Sequence, residues 1–281
     1  MTRRLSTLAL ILVSLFGLGL ILYPSLSNAW NERHATRAIA AYSEELSAVD
    51  EESYAEVWEA ALAYNEKVSQ NPGFELTPEL AEEYASVLDI SGLGILGYVE
   101  IPAIKVSLPI YHGTSDGVLQ VAAGHLDWTN LPIGGEGTHC AISGHRGLSS
   151  ARLFTDLPRL KAGDVFYIRV LNELLTYEVD QEKTVLPYEL NDLLAESGKD
   201  YFTLITCTPY AVNTHRLLVR GHRIANEEEV RRVLVPADAL RVEPLIVAPI
   251  LAAPIVLMMI ILVFLMPEAP SQPTKKGKRH E

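Results

Sequence analysis

The stretch TLITCTPYAVNTHRLLVRG, residues 203–221, brings together residue types that can carry out nucleophilic chemistry. Cys207 is one of only two cysteines in the 281-residue chain, and His215, Arg216 and Arg220 follow it closely. A thiolate is a strong nucleophile, and a neighbouring cation or histidine lowers the pKa of the thiol. The stretch therefore predicts either a reactive thiol in an assembled site or a small buried hydrophobe at the end of a strand.

The alternation of side chains along a strand sorts these residues by face. We expect the strand that ends at Cys207 to pair antiparallel with the next strand, with Cys207 opposite Thr214. Arg216 is then a diagonal neighbour on the same face, about 7–8 Å away along the backbone. Arg220 lies roughly 13 Å away at about 3.3 Å per residue. A register slip of one residue would bring His215 to the thiol instead, so the pattern leaves both Arg216 and His215 open.

A nucleophilic cysteine also needs a partner that transfers protons. His145, in the segment ISGHRG, is a candidate because it follows the apolar strand 139–143 at a glycine turn, where catalytic side chains are often presented. His215 is its rival, inside a predicted strand. Cys140 lies in the middle of a strand and is predicted to be a buried thiol. A disulfide between Cys140 and Cys207 would disable the site.

The composition excludes several classes of function. The chain is 48% hydrophobic and 21% charged, as globular proteins are, and its net charge is −12. Nucleic-acid binding requires positive charge, so no nucleic-acid partner is expected. The cysteines and histidines do not have zinc-site spacing. We expect neither a cofactor nor a metal site.

Two segments are apolar enough to cross a membrane. Residues 5–23 and 245–266 contain no charged residue, and each is close to the length of about 20 residues that spans the hydrocarbon core. Basic residues precede the first segment and follow the second, which predicts that both termini are cytoplasmic and that everything between the segments is extracellular. Between residues 5 and 244 there are 33 acidic and 17 basic residues, so most of the acidic charge lies in the external part.

The first apolar segment has a second interpretation. Ser27-Asn28-Ala29 resembles a signal-peptidase site, with small residues at the two recognition positions. The apolar stretch before it is longer than the usual signal core of about 7–15 residues. An uncleaved anchor is therefore the favoured interpretation.

The spacing of apolar residues changes along the external part. Residues 30–70 repeat at three- and four-residue steps and predict helix, and Thr77 with Pro78 predicts the start of a third helical segment that runs to about Leu88. From Gly97 onwards the pattern alternates, with strands interrupted by prolines at 102 and 109 and a turn at 172. Many short strands separated by turns predict a β-barrel or a β-sandwich.

Several motifs agree in order and spacing with one known family. The segments LPIYHG, LPIGGEGTHCAISGHRG, ARLFTDL and TCTPYAVNTHRLLVRGHR resemble the class C, pilus-assembling sortases of Gram-positive bacteria, over about residues 54–224. The layout with two membrane anchors matches that class too. The resemblance implies a mainly β fold, an eight-stranded barrel preceded by an N-terminal helical arm and flanked by two transmembrane helices.

The resemblance also implies an activity and roles for residues. A sortase cysteine attacks the Thr–Gly bond of an LPXTG-like sorting signal. By resemblance, Cys207 is the nucleophile, His145 the general acid and base, and Arg216 the group that stabilises the substrate and the oxyanion. His125 and Thr206 are expected to contact the substrate. The expected partners are LPXTG-type pilin or surface proteins, the lysine amine of a pilin as acceptor, and the membrane.

The chain departs from the class at one motif. Class C sortases often carry a lid with an Asp-Pro-aromatic sequence in front of the barrel, and the nearest counterpart here is Asn71-Pro72-Gly73-Phe74. Asn71 cannot form an ion pair with Arg216, whereas Phe74 could still cover the site. The alternative interpretation of this segment is an ordinary turn that ends a helix.

The complete prediction divides the chain into a cytoplasmic N-terminus (1–4), a transmembrane helix or uncleaved signal anchor (5–23), an extracellular arm and lid region (30–90), a catalytic barrel (95–225), a linker (226–244), a transmembrane helix (245–266) and a basic cytoplasmic tail (267–281). Three other functions stay open. A sortase that attaches proteins to peptidoglycan would have the same fold and residues. A membrane-tethered domain could also serve as a non-catalytic scaffold, or the thiol could belong to a plain hydrolase.

Overall fold

The computed structural model describes residues 2–71 and 73–226. The helices are α1 (Thr2–Ala48), α2 (Glu51–Gln70), α3 (Pro78–Tyr84) and the single turn α4 (Asp116–Leu119). The strands are β1 (Ile95–Ile101), β2 (Val106–Tyr111), β3 (Ala123–His125), β4 (Thr138–Ser143), β5 (Val165–Val170), β6 (Glu173–Val185), β7 (Asp200–Thr208) and β8 (His215–Ile224). The part of the chain up to Ser25 belongs to a different compact unit from the part that begins at Leu26.

The eight strands close into a barrel in the order β1-β2-β3-β4-β7-β8-β6-β5, which confirms the predicted eight-stranded barrel. The pairs β2–β3 and β4–β7 are parallel, and the other pairs are antiparallel. The prediction that Pro109 interrupts a strand is wrong, because β2 continues through it opposite Tyr98. β3 pairs only with the last two residues of β2, so β2 has no strand on that side at Pro109. The N–H that proline lacks is therefore not needed for a hydrogen bond between strands.

Two apolar clusters occupy the two faces of the strands around the predicted site. Cys140, Ile142, Phe202 and Leu204 belong to the large cluster that fills the barrel. The strand residues of the opposite, outer face form a smaller cluster: Ala141 on β4, Ile205 on β7, Val185 on β6 and Leu218 on β8, together with Leu193. Three partly buried residues pack against this cluster, namely Leu126, Trp128 and Leu190. The period of two along each strand separates the clusters.

The ends of the arm helices follow the sequence signals. Asp50 caps α2, because its carboxylate accepts a hydrogen bond of 2.8 Å from the N–H of Ser53. Thr77 caps α3, with Pro78 in the first turn, as predicted. α3 ends at Tyr84 rather than near Leu88, where the backbone has a φ of 62°. A left-handed residue cannot continue a right-handed helix.

Polar side chains of the arm bind backbone groups of the barrel. The hydroxyl of Tyr42 on α1 accepts a 2.7 Å bond from the N–H of Leu171, and burial raises the pKa of Tyr42 to about 12. The Asn65 side chain on α2 accepts a 2.7 Å bond from the N–H of Leu131 and donates a 3.5 Å bond to its carbonyl. These bonds satisfy buried loop backbone that has no strand partner. The arm thereby fixes the loops at this side of the barrel.

Within the described residues, one helix is long and apolar enough to cross a membrane. It is α1, with a mean hydropathy of 2.2 over its most apolar window, and its side chains between Leu10 and Leu26 include many exposed large hydrophobics. Length and composition alone do not distinguish a membrane span from a signal sequence. The predicted second span, 245–266, and the linker and tail around it lie outside the described residues.

His125 lies inside the fold, so the prediction that it contacts the substrate is wrong. Its side chain is fully buried: Nδ1 accepts from the Tyr84 hydroxyl at 2.8 Å and Nε2 donates to the carbonyl of Asn130 at 2.8 Å. The same Tyr84 oxygen accepts from the N–H of Gly113 at 2.9 Å. This network joins α3 to the barrel. Burial lowers the pKa of His125 to about 4, so the imidazole is neutral.

We predict that His125 makes the stability of the barrel sensitive to acid. The unfolded chain binds a proton near pH 6.5, whereas the folded chain resists protonation until about pH 4. The free energy of unfolding is therefore highest above pH 6.5 and falls as the pH drops from 6.5 through about 4. The loss is roughly 3 kcal/mol for this one group.

Urea unfolding of the wild type and of His125→Gln at several pH values measures this effect. The side-chain amide of glutamine can accept from Tyr84 and donate to Asn130, as the neutral imidazole does, but it cannot become charged. The free energy of unfolding should fall less steeply with acid in His125→Gln than in the wild type, and the exposed His34→Gln should behave like the wild type. Equal slopes in all three proteins would contradict the assignment.

Candidate active site

The parallel pairing of β4 with β7 brings His145 and Cys207 side by side. Ser143 is the register partner of Ile205, and the N–H of Gly144 donates to the carbonyl of Ile205 at 3.0 Å. Continuing the register by two residues places His145 beside Cys207. At the usual strand spacing of about 4.8 Å, this continued register would bring the two side chains within reach of each other. Both residues are half-buried, as a proton-transfer pair open to a substrate must be.

Arg216 lies directly opposite Cys207 on the other neighbouring strand. The pairing of β7 with β8 has Cys207 opposite Arg216 and Thr208 opposite His215. The predicted register, with Thr214 opposite Cys207, is therefore wrong by two residues, although it placed Arg216 on the correct face. The Nη1 group of Arg216 donates to the carbonyls of Asn213 at 3.3 Å and of His215 at 3.1 Å, which orients the guanidinium at the end of β8.

His215, which the sequence left open, and Arg220, which it placed farther away, are both separated from the thiol. His215 faces the opposite side of β8 from Arg216, and its Nδ1 lies 2.9 Å from the hydroxyl of Thr214. Arg220 is paired with Thr203, forms a bidentate ion pair with Asp180 at 2.9–3.0 Å, and stacks on a tyrosine ring. The row of side chains around the thiol is therefore His145, Cys207 and Arg216.

The other cysteine–histidine pair, His139 and Cys140, has a different environment. The two residues are adjacent on β4, so their side chains point to opposite faces. Cys140 is 2% exposed inside the barrel, and burial raises the pKa of its thiol well above the usual value. His139 donates to the carbonyl of Leu194 and accepts from Thr203, and burial lowers its pKa to about 4. Both cysteines are free thiols, and Cys207 is the more accessible of the two, since it is half-buried whereas Cys140 is buried.

Thr206 lies on the inner face, so the prediction that it contacts the substrate is wrong. It alternates with Cys207 along β7 and is 1% exposed, and its hydroxyl donates to the carbonyl of Gly144 at 2.7 Å. This bond extends the β4–β7 pairing past the last regular strand residue. Thr206 therefore holds the segment that carries His145 against the segment that carries Cys207.

Phe154 and Arg146 make further contacts at His145 and directly after it, and the sequence reasoning missed both residues. Phe154 donates its N–H to the carbonyl of His145 at 3.1 Å. Arg146 donates to the hydroxyl of Thr208 at 3.3 Å and lies 5.7 Å from the ring centre of Tyr210. Phe154 belongs to the segment ARLFTDL, which follows ISGHRG closely in the sequence. That closeness was the one signal that Phe154 lies near His145. Arg146 adjoins the predicted His145.

The predicted lid segment is only partly described. Pro72 lies outside the described residues. Asn71 ends α2 and donates to the carbonyl of Lys67 at 2.8 Å, which is an ordinary helix-end contact. Phe74 packs edge-on against Trp128 with ring centres 5.3 Å apart, and Trp128 packs against the outer cluster that adjoins Cys207. The segment thus lies beside the apolar part of the site, while a lid function stays a prediction.

Among the described residues, no group of three or more His, Cys, Asp and Glu side chains has the arrangement of a metal site. The chemistry available at the site is that of a thiol beside an imidazole and a guanidinium. These groups can carry out acyl transfer through a thioester.

Comparison with known proteins agrees with this chemistry. A family model described as a sortase domain matches residues 99–224. The solved structure of sortase C1 from Streptococcus agalactiae is 49% identical to the chain, aligns with 68% of it and with 100% of its own length, and superposes with a TM-score of 0.66. The chain belongs to the sortase family. Its members are cysteine transpeptidases, so the chain is an enzyme of that type.

Other solved neighbours place the sortase in class C. Sortase C of Streptococcus pneumoniae, whose structure is described in terms of catalysis and pilin substrate specificity, is 44% identical over 68% of this chain and 97% of its own, with a TM-score of 0.61. Sortase C of Clostridium perfringens, solved with the C-terminal cell wall sorting motif, is 40% identical over 68% of this chain and 100% of its own, also with a TM-score of 0.61. The class predicted from the motifs is confirmed.

We predict that the two cysteines of this sortase react at very different rates. A thiol reagent added to the native protein should label Cys207 within minutes and Cys140 only after unfolding, because the latter is enclosed in the barrel and its pKa is raised. Cys207→Ala should abolish the fast phase, and Cys140→Ala should keep it. Fast labelling that survives in Cys207→Ala would instead favour the His139–Cys140 pair.

We also predict that Thr206 supports catalysis through its hydroxyl. Thr206→Val keeps the shape but leaves the carbonyl of Gly144 without its donor, a loss of about 1–3 kcal/mol. The resulting displacement of His145 should lower kcat by roughly tenfold with little change in KM. Thr206→Ser keeps the donor and should restore the rate. Steady-state kinetics with a sorting-signal peptide compares the three proteins, and equal kcat for serine and valine would exclude this role.

Proposed function

We propose that this sortase is a membrane-anchored transpeptidase that cleaves an LPXTG-like sorting signal and joins it to a pilin lysine, so that pilin subunits are polymerised outside the cell. In this proposal Cys207 is the nucleophile, His145 the general acid and base, and Arg216 the oxyanion-stabilising cation. The proposal is supported by the pairing of Cys207 with Arg216 across β7 and β8, and by the β4–β7 register, which the Gly144–Ile205 bond extends toward His145.

The first half of the reaction forms a thioester. The Cys207 thiolate attacks the threonine carbonyl of the sorting signal, so the S–C bond forms while the Thr–Gly C–N bond breaks. His145 gives its proton to the departing glycine amine. In the second half, the lysine amine loses a proton to His145 and attacks the thioester. The new N–C bond is an isopeptide bond, and Cys207 leaves as a thiolate ready for another cycle.

Arg216 is suited to the charge that develops on the carbonyl oxygen. Its Nη1 is held by the carbonyls of Asn213 and His215, so the guanidinium is oriented before the substrate arrives. Nε and Nη2 provide further donors from a fixed planar group. A preorganised donor that faces a developing oxyanion stabilises the transition state more than the ground state.

The outer apolar cluster is suited to the leucine and proline of the sorting signal. Ile205, Leu218 and Val185 lie on the same face as Cys207, within two residues of the catalytic row, and are themselves buried. The half-buried Leu126, Trp128 and Leu190 pack against them and present apolar surface to the outside. A peptide that packs against these half-buried side chains would bury its own apolar side chains there, while its scissile bond reaches the thiol. This surface replaces His125 and Thr206 as the expected substrate contact.

The proposed location is the cell membrane, with two passes and an extracellular catalytic domain. It is supported by the two charge-free segments with basic residues on their outer flanks and by the apolar part of α1. The class C neighbours support the pilin substrate, since one of them is described with pilin substrate specificity and another with a cell wall sorting motif.

We predict that the full chain in detergent micelles joins a peptide carrying the sorting signal to a lysine Nζ. The peptide is offered together with a pilin-type lysine peptide and an oligoglycine, and mass spectrometry identifies the linked amine. Cys207→Ala should lose at least about a thousandfold in product formation, and Cys140→Ala should retain it. A link to oligoglycine alone would support attachment to peptidoglycan. Peptide binding without any cleavage would support the scaffold interpretation.

A further inference from the structure

Two asparagines of α1 hold the loop that follows His145. The Oδ1 atom of Asn28 accepts a 2.8 Å bond from the N–H of Arg152, and the Nδ2 atom of Asn31 donates a 3.0 Å bond to the carbonyl of Ser150. The two residues are three positions apart, so they share one face of the helix. Together they bind an acceptor and a donor of the same loop, as a neighbouring strand would. The contacts join segments about 120 residues apart in the sequence.

The loop is in turn closed onto the catalytic histidine. The N–H of Phe154 donates to the carbonyl of His145 at 3.1 Å, and the N–H of Gly147 donates to the hydroxyl of Thr155 at 3.0 Å. The fully buried Phe154 ring occupies the space beside Gly144, where even a Cβ atom would lie 2.7 Å from the ring. A displacement of the loop therefore moves Phe154, and Phe154 cannot move toward Gly144 without shifting the backbone before His145.

We propose that Asn28 and Asn31 are positioning residues that keep His145 in line with Cys207. Neither asparagine is adjacent to the catalytic row, so each acts through the loop of residues 150–154. The inference rests on the proposed roles of His145 and Cys207. It gives the membrane-proximal part of α1 a function in catalysis, besides any function as an anchor.

The proposal also distinguishes between the two interpretations of the N-terminal segment. Asn28 lies inside the sequence Ser27-Asn28-Ala29, which resembles a signal-peptidase site. Cleavage after Ala29 would remove Asn28 and its bond to Arg152, leaving only the contact of Asn31. The active enzyme therefore retains its N-terminal segment, and the intact mass of the chain purified from membranes should include residues 1–29.

The first test compares Asn28→Ala, Asn31→Ala and the double variant in the full-length protein. With a sorting-signal peptide, we expect kcat to fall about tenfold in the double variant and KM to change less than twofold, because the substrate surface is untouched. The pH dependence of kcat should shift with it, since proton transfer by His145 becomes less efficient. The midpoint of thermal unfolding reports whether the barrel is damaged.

The second test uses the opposite polarity of the two bonds. Aspartate at position 28 keeps the acceptor for the N–H of Arg152, whereas aspartate at position 31 loses the donor and sets a carboxylate against the carbonyl of Ser150. Because the side chain of Asn28 also donates to Glu32 at 3.0 Å, Asn28→Asp is made together with Glu32→Gln to avoid repulsion. We expect this double variant to keep the wild-type kcat, whereas kcat should fall in Asn31→Asp. Glu32→Gln alone is the matched control.

Several results would overturn the proposal. In the alanine double variant, the proposal fails if kcat and its pH profile are unchanged, or if kcat falls only as far as folded protein is lost. It also fails if aspartate has equal effects at positions 28 and 31. A fully active chain that begins at Trp30 would contradict it as well. Failure of the proposed function is a separate outcome, in which the wild type itself cleaves no peptide. Alkylation of Cys207 as a function of pH then still reports whether the asparagine variants change the environment of the thiol.

Discussion

The arrangement of the site depends on the parallel pairing of β4 with β7. The hydrogen bond from Gly144 to Ile205, reinforced by the bond from Thr206 to Gly144, carries this pairing beyond the end of β4. It aligns a histidine in a loop with a cysteine in a strand, although the residues are 62 positions apart in the sequence. The antiparallel strand β8 then supplies Arg216 from the other side. Two neighbouring strands and the loop that follows a third thus direct three different chemical groups toward one row on the outer face.

The helical arm contributes to this arrangement through side chains that imitate a strand edge. Asn65 forms hydrogen bonds with both the N–H and the carbonyl of Leu131. Asn28 and Asn31 together bind one donor and one acceptor of the loop after His145. Tyr42 accepts a hydrogen bond from the turn between β5 and β6. Loop backbone without a partner would be costly to bury. The arm satisfies it and at the same time restricts the motion of the loops, so it is part of the enzyme's framework.

The two cysteines illustrate how position on a strand determines reactivity. Cys140 points into the barrel, where desolvation opposes the thiolate, and Cys207 lies on the half-exposed outer face beside an imidazole and a guanidinium. The same alternation explains the errors over Thr206 and His125. Thr206 is adjacent to Cys207 and must point inward, which the sequence pattern already implied. His125 carries a polar ring that is buried only because Tyr84, from a distant helix, provides its hydrogen bond.

The sequence by itself determined the faces of the strands and most of their positions, the cap of α3, the apolar stretch at the start of α1 and the residue types of the site. It placed Arg216 on the face of Cys207 but gave the wrong partner, because a shift of two residues preserves every face and alternation cannot detect it. Only the tertiary structure decided which residues lie opposite each other, that His125 is enclosed, and that Asn28 and Asn31 hold the loop after His145. The physical reason is that local periodicity reports only the face of a residue. Closure of the barrel and docking of the arm choose its partner, which can be 9 residues away, as Arg216 is from Cys207, or 124, as Arg152 is from Asn28.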